Sequence, residues 1–337
     1  MTTPQEWVQA QNRVHETLPN LLTAVVGQVM NPVVASDLNL GYDETAGKAV
    51  IRNRDNNTEK VAPAVNAVDA LAGESFYVRP NGQKYFTRKW GMHTDVEVVR
   101  KQRASDKGKS VLLYGAPGTG KTAMFEGAFG DDLITVLGTG DTEVGDLVGG
   151  YVQTIAGGFE WVDGPLVQAA EQGKVLLIDE IGLIDPKVLA VVYGLMDGRR
   201  ELKVTANPER AIVKAQPGFF VVAATNPNAP GVNLSEALLS RFGIQAEMTT
   251  DWTLARKLGV PAQAVTCAQN LAKKQQSDEV NWSPQMRELL DFRDISEELG
   301  TEWAVSNLIA QAPVEDRAIV ADVFTRVYGA DFKPAKI

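Results

Sequence analysis

Eight consecutive residues carry the clearest chemistry in the chain: Gly115, Ala116, Pro117, Gly118, Thr119, Gly120, Lys121 and Thr122, reading GAPGTGKT. They fit the pattern G-x-x-x-x-G-K-[ST], in which glycines let successive backbone N–H groups close around phosphates. In such a loop Lys121 reaches the β and γ oxygens and Thr122 offers its hydroxyl to magnesium. The helix opened by Lys121, Thr122 and Ala123 turns its positive end toward the anion. The pattern means something only between a strand and a helix, and here the strand-like VLLY precedes it and AMFEGAF follows. A glycine-rich turn before a helix is the bland alternative, and it does not require the full octet.

A phosphate loop of this kind needs an acid at the end of another buried strand, and VLLIDE supplies Asp179 and Glu180. Asp179 is suited to hold magnesium, directly or through water, and Glu180 to polarise the attacking water as general base. The same pair would otherwise cap a following helix. Asn226 stands just past the buried run FFVVAAT, where an amide can orient the water between γ-phosphate and Glu180; an Asn-Pro pair also starts ordinary loops. Arg241 closes LSEALLSRF, far along the fold from its own phosphate loop but suited to reach the γ-phosphate of a neighbouring copy. A plain surface arginine is the other reading.

These residues need a scaffold. VLLYG, LITVL, VLLIDE, FFVVAAT and IQAEM are short, continuous apolar runs separated by helix-compatible segments. Such runs suit strands buried on both faces of a parallel sheet, so the alternation predicts a doubly wound α/β fold. Beyond about Thr250 the strand runs stop and the chain reads as helices, one of them with Ser283 as N-cap and Pro284 in its first turn. Ahead of the phosphate loop, FYVRPNGQKYFTRKW places Asn81-Gly82 between two aromatic-rich runs and predicts a hairpin. Residues 5–30 have helical spacing, broken into two helices by Pro19, and Asn31 to Glu74 read as loop with one helix near Val65 to Leu71. The expected division is 1–74, an N-terminal extension of mostly helix and loop; 75–248, the α/β nucleotide domain; and 249–337, a helical lid.

Composition narrows the function classes. The 337 residues carry a formal charge of -9, which argues against a general nucleic-acid binder. The densest basic stretch, Arg88, Lys89, Arg100, Lys101, Arg103, Lys107 and Lys109, is interrupted by acids and reads as a solvated face. A single cysteine, Cys267, reads as a small buried residue, and with only His15 and His93 beside it no zinc site is expected. No run approaches the roughly 20 apolar residues of a membrane helix, and the first residues lack a signal-peptide pattern, so a cytoplasmic protein is expected.

GAPGTGKT, LLIDE, AATNP and LLSRF, in this order and spacing, resemble the two Walker motifs, sensor 1 and arginine finger of AAA+ ATPases. DLVGGYVQTIAGGFEWVDGPLVQAAEQGKVLLIDE and LMDGRRELKV are similar more narrowly to the MoxR branch, especially its CbbQ/NorQ-type members. The likeness is good over roughly residues 108 to 245, loose over the helical tail, and absent from the first hundred residues.

It implies a five-stranded parallel sheet with a helical lid, assembled into a homo-oligomeric ring, commonly a hexamer, with ATP and Mg2+ at subunit interfaces. GGYVQTIAGGFEWVDG looks like a hairpin inserted into a helix, and RRELKVTANPERAIVKAQPGFF like a second one. In this branch such inserts contact the substrate or partner, which nominates Tyr151, Phe159 and Trp161; packing of the hairpin onto its own domain is the alternative. Relatives place a sensor 2 arginine directly after the residues that open a lid helix. Here Gln285 stands there and Arg287 follows two residues later as the candidate nucleotide contact. The activity implied is ATP-driven remodelling of a separate client, in this branch often with a von Willebrand factor A domain. A nucleic-acid motor or loader is opposed by the acidic charge. A nucleotide-gated adaptor is opposed by Glu180 and Arg241 and kept open by the displaced sensor 2.

Overall fold

The computed structural model describes strands at residues 38–43, 48–53 and 59–61 and, beyond them, residues 75–336 except 156 and 211. The chain divides into two compact units, Met1–Gly73 and Glu74–Ile337. In the first, β1 (Leu38–Asp43), β2 (Lys48–Asn53) and β3 (Glu59–Val61) form an antiparallel sheet in the order β1-β2-β3. The sequence reading of this stretch as loop is therefore corrected. Leu38, Leu40 and Tyr42 alternate with polar residues, and Val50-Ile51 is β-branched, a period-two pattern obscured by the Asn-, Asp- and Gly-rich composition around it. The two helices expected over 5–30, the helix near Val65 to Leu71, and His15 lie outside the described residues.

The second unit opens with the hairpin of β4 (Phe76–Val78) and β5 (Lys84–Phe86), closed by Arg79 and Gln83 with Gly82 at φ 81°. A two-residue pairing of β6 (Lys89–Trp90) with β7 (His93–Thr94) then leads into α1 (Asp95–Ala104). Thr94 caps α1 by accepting from Glu97 N while Glu97 accepts from Thr94 N, a reciprocal capping box. This porch is fastened to the domain behind it: Arg79 pairs with Glu126 at 2.6 Å, and Arg100 donates to Ala128 O at 2.6 Å beneath the Tyr77 ring.

The central sheet contains β8 (Val111–Tyr114), β9 (Leu133–Leu137), β12 (Val175–Asp179), β15 (Phe220–Thr225) and β16 (Ile244–Glu247). All four pairings are parallel, in the order β16-β8-β15-β12-β9. Alternation sorts each strand between two cores. Leu112, Leu176, Ile178, Val221 and Ala223 face one side, while Val111, Leu113, Val175, Leu177, Val222 and Ala224 face the other. Helix α2 (Lys121–Phe129) covers the second face with Met124 and Phe125, together with Val96 and Val99 of α1. The first face is covered by α3 (Val144–Val148), α4 (Pro165–Gln172) and α5 (Pro186–Met196). Each fully buried leucine, valine or phenylalanine contributes about 1.5–3 kcal/mol to holding these layers together.

Two hairpins project from this frame: β10 (Gly149–Gln153) with β11 (Phe159–Asp163), between α3 and α4, and β13 (Glu201–Lys203) with β14 (Ile212–Lys214), ahead of β15. After the short α6 (Glu236–Leu239) and β16, five helices complete the chain: α7 (Trp252–Lys257), α8 (Ala262–Gln276), α9 (Met286–Leu299), α10 (Thr301–Gln311) and α11 (Arg317–Tyr328). They enclose their own core around Leu271, Leu289, Phe292, Leu308 and Phe324. Among the described residues no helix is long and apolar enough to cross a membrane.

Candidate active site

The octet occupies the turn between β8 and α2 and the first two residues of α2, at the carboxyl edge of the parallel sheet, where doubly wound folds bind their ligands. Gly118 and Gly120 take φ values of 76° and 98°, and Gly120 is the N-cap of α2. A residue with a Cβ would be strained at both, so the loop can curl its amides inward only because glycine stands there. Thr119 is buried and its hydroxyl donates to Ala116 O at 3.0 Å. Lys121 is buried too, with Nζ donating to Gly115 O and Ala116 O, each at 2.9 Å. Burial lowers its pKa, Glu180 and Asp179 work the other way, and the positive charge of Arg287 lowers it further. Ala123 packs its methyl against the core beneath the loop, while Pro117 is exposed at its crest.

The second motif meets the first in space. The Thr122 hydroxyl donates to Asp179 Oδ2 at 2.8 Å, and Asp179 Oδ1 accepts from Glu180 N at 3.1 Å. Glu180 stands in the left-handed region at φ 51°, which aims its side chain across the sheet edge to accept from Asn226 N at 3.3 Å. Asn226 Oδ1 accepts from Asn228 N at 3.2 Å, so the Asn-Pro turn and the site coexist. That bond engages the amide oxygen and leaves Nδ2 as the end available to donate. Thr122 and Asp179 are hard oxygen donors, as magnesium requires. Among the described residues no cluster of three or more His, Cys, Asp or Glu occurs.

The helical region reaches the loop through α9. Arg287 N donates to Gly118 O at 3.1 Å, and a Cβ at Gly118 would lie 3.1 Å from Arg287 Cβ. Gln285 faces the other way: Oε1 accepts from the Thr250 hydroxyl at 2.7 Å and Nε2 donates to Ser283 O at 3.0 Å. Of the two, Arg287 brings its charge toward Lys121. The N-cap of α9 is Gln285, in a capping box with Glu288, and not Ser283 as its sequence suggested. Ser283 and Pro284 are buried, and the Ser283 hydroxyl is committed to Gln275 Oε1 at 2.7 Å, so the helix starts after them.

Arg241 follows α6 and is engaged with other partners. It donates to Ala237 O and Ser240 Oγ at 3.0 and 3.2 Å and lies over the Tyr193 ring, 4.5 Å from its centroid. In the first hairpin Trp161 is half-buried, donates to Asp163 Oδ1 at 2.7 Å, and meets Tyr151 edge-on at 5.3 Å between ring centroids. Trp161 therefore packs its own hairpin down, whereas Tyr151 and Phe159 remain 53% and 70% exposed. Cys267 is buried in the helical core, and that burial pushes its thiol up to about 12, as for a packing residue.

The reading of the basic stretch as a solvated face holds for Lys89, Lys101, Lys107 and Lys109, which are exposed, and needs correction for its three arginines. Arg88 donates to Thr249 O and Thr119 O, Arg100 to Ala128 O, and Arg103 to Gly218 O and Gly173 O while pairing with Asp132. Arg88 and Gly138, which abuts the backbone of Glu180, are the neighbours of the site that the sequence pattern did not single out.

Residues 110–242 match the family model described as AAA domain (dynein-related subfamily), a span running from β8 to just past Arg241. The chain is similar to an uncharacterized protein of Staphylococcus aureus strain USA300, 36% identical over 151 residues that cover 41% of this chain and 54% of that protein. An uncharacterized protein of Staphylococcus haemolyticus is 34% identical over 142 residues, covering 40% of this chain and 53% of its own. The chain thus spans about half the length of the curated relatives it matches. A crystal structure of a candidate ATPase from Cytophaga hutchinsonii, 15% identical, covers 70% of this chain and 88% of its own at a TM-score of 0.36.

Proposed function

We propose that the chain is a magnesium-dependent ATPase of the AAA+ MoxR branch, near its CbbQ/NorQ-type members, whose copies form a ring that remodels or activates a partner protein. The observation that carries this reading is the meeting of two motifs far apart in the chain. Thr122 behind the phosphate loop bonds Asp179 at the end of β12, with Glu180 beside it. The loop amides and Lys121 hold the phosphates of ATP, which in place of Gly115 O and Ala116 O become the acceptors for Nζ. Thr122 and Asp179 would hold magnesium, which when bound would supply positive charge to offset that of the phosphates. Glu180 takes a proton from the attacking water, and the Asn226 amide, its oxygen already engaged, donates from Nδ2 to keep water and γ-phosphate in line. Arg287 adds positive charge from the helical region. Arg241, exposed in part over the Tyr193 ring, serves the γ-phosphate of an adjacent copy. The client is a separate protein, as for members of the branch the sequence resembles, which often work with von Willebrand factor A domains, and the exposed Tyr151 and Phe159 are the side chains offered to it.

Steady-state ATPase rates and mass by light scattering, with and without ATP, test this for the wild type and Glu180→Gln. Assembly and hydrolysis by the wild type, with assembly but roughly 100-fold slower turnover in Glu180→Gln, is the expected result. Unimpaired turnover in Glu180→Gln would remove Glu180 as base. A wild type that assembles on ATP without releasing phosphate would be an adaptor, and a rate raised by DNA would make it a nucleic-acid motor.

A further inference from the structure

Arg88 belongs to the porch, between β5 and β6, yet its guanidinium forks between two backbone carbonyls at the nucleotide loop and beyond it. One terminal nitrogen donates to Thr119 O at 2.7 Å and the other to Thr249 O at 2.9 Å. The residue is itself fixed. Its N–H donates to Asp95 Oδ1 at 3.1 Å, Asp95 N donates back to Arg88 O at 2.9 Å, and the buried Asp95 also accepts from the Tyr85 hydroxyl. Arg88 Nε is buried without a hydrogen-bond partner. A buried N–H left unpaired is unfavourable, so the side chain is held in this pose by what its two ends grip.

Each grip has a consequence. In a trans peptide the C=O and the following N–H point in opposite directions, and no cis peptide is present among the described residues. A cation bonded to Thr119 O therefore lies on the far side of that peptide from Gly120 N–H, an amide whose pattern assigns it to the phosphates. Charge-assisted donation to the carbonyl fixes the orientation of the peptide and polarises it, which makes that N–H a stronger donor. The other grip holds Thr249, in the connector between β16 and α7. From there a chain of contacts returns to the loop. Thr250 bonds Gln285, Gln285 caps α9, and Arg287 N in the first turn of α9 donates to Gly118 O. Arg88 closes a circuit that joins Gly118-Thr119 to the start of the helical region by two routes.

We propose that Arg88 is a positioning residue of the nucleotide site. It aims the Thr119–Gly120 peptide at the phosphates and ties that peptide to Thr249, so that phosphate binding and the set of the connector change together. The inference rests on the phosphate-loop reading above. Its test is ADP affinity by calorimetry on the full chain for wild type, Arg88→Ala, Arg88→Lys and Lys121→Ala, alongside the melting temperature without nucleotide. Hydrogen exchange of residues 247–252 with and without ADP completes it.

Arg88→Ala is expected to bind ADP about 10- to 100-fold more weakly, the range for losing a hydrogen bond to a charged group. It should also lose the ADP-induced protection of the connector. Arg88→Lys should recover part of the affinity, since an ammonium keeps the charge without the fork. Wild-type ADP affinity in Arg88→Ala, with or without a lower melting temperature, would reduce Arg88 to a structural brace and overturn the proposal. If Arg88→Ala does not fold, wild-type affinity and connector protection in Arg88→Lys overturn it equally. Failure of the wild type to bind ADP would overturn the phosphate-loop reading and this inference with it. Wild-type binding that Lys121→Ala abolishes and Arg88→Ala leaves intact would sink this inference alone.

Discussion

Glu180 occupies a backbone region that few residues other than glycine adopt, and three contacts hold it there: its own N–H on Asp179, its carboxylate on Asn226 N, and the end of β9. The third depends on Gly138. Its N–H donates to Asp179 O at 2.7 Å, and a Cβ built on it would lie 2.7 Å from Glu180 O and 2.8 Å from Ile184 Cγ1. Gly138→Ala must therefore push the turn that carries Glu180, while the phosphate loop, on a different strand, keeps its own contacts. The expected outcome is a kcat about 10- to 100-fold lower with ADP affinity unchanged, the signature of a displaced base. An unchanged kcat would mean that the turn yields without moving the carboxylate. The octet and the acid pair were legible in the sequence because each is a contiguous string whose local structure follows from its own residues. Gly138 and Arg88 were not, because what they touch is set by the fold: Arg88 and Thr249 are 161 positions apart. A basic residue in a mixed-charge stretch and a glycine after a strand both look ordinary until the sheet is assembled.

The same distinction runs through the elements. Five runs predicted five strands and their parallel pairing; burial on both faces leaves an unbroken hydrophobic string in the central β8, β12 and β15, while the edge strands β9 and β16 keep exposed positions. Strands β1 to β3 escaped notice, since their alternation is short and set among turn formers. The start of α9 was misplaced by two residues, because Ser283 looks like a cap until tertiary structure takes its hydroxyl for Gln275. The first hairpin was visible from its Gly-Gly turn and the second only through the family resemblance; the clamp between them was not. Arg210, ahead of β14, bonds Asp163 at the base of β11 and Glu171 of α4, and Asp163 also accepts from Trp161. This ties the inserts into one projection. The partners are partly exposed, so Arg210→Ala should cost no more than about 1 kcal/mol of global stability. Hydrogen exchange should nevertheless quicken in residues 149–163 and 201–214 and not in the central strands. Unaltered exchange in both hairpins would leave the packing of Trp161 as their anchor.

At the scale of the molecule, the arrangement is lopsided. Lys121, Thr122, Asp179, Glu180 and Asn226 converge, whereas Arg241 bonds the backbone of the preceding α6 and lies on Tyr193. A guanidinium spread over an aromatic face is held by its flat surface and keeps a hydrogen-bonding edge for another acceptor. If that acceptor is the γ-phosphate of the next copy, each complete site uses residues from two chains, and a head-to-tail contact that closes generates a ring. Mixing variants tests the geometry. Arg241→Ala keeps an intact loop and base but offers no finger, and Glu180→Gln keeps the finger but has no base, so each alone should be nearly inactive. In a ring assembled at random from equal parts, about a quarter of the interfaces place an intact base against an intact finger, and the mixture should recover activity in that proportion. Activity in the mixture no greater than that of the separate variants would mean that Arg241 does not act on a neighbour. The rate would then have to be explained within one chain, where Arg241 is engaged with Ala237 O, Ser240 Oγ and the Tyr193 ring.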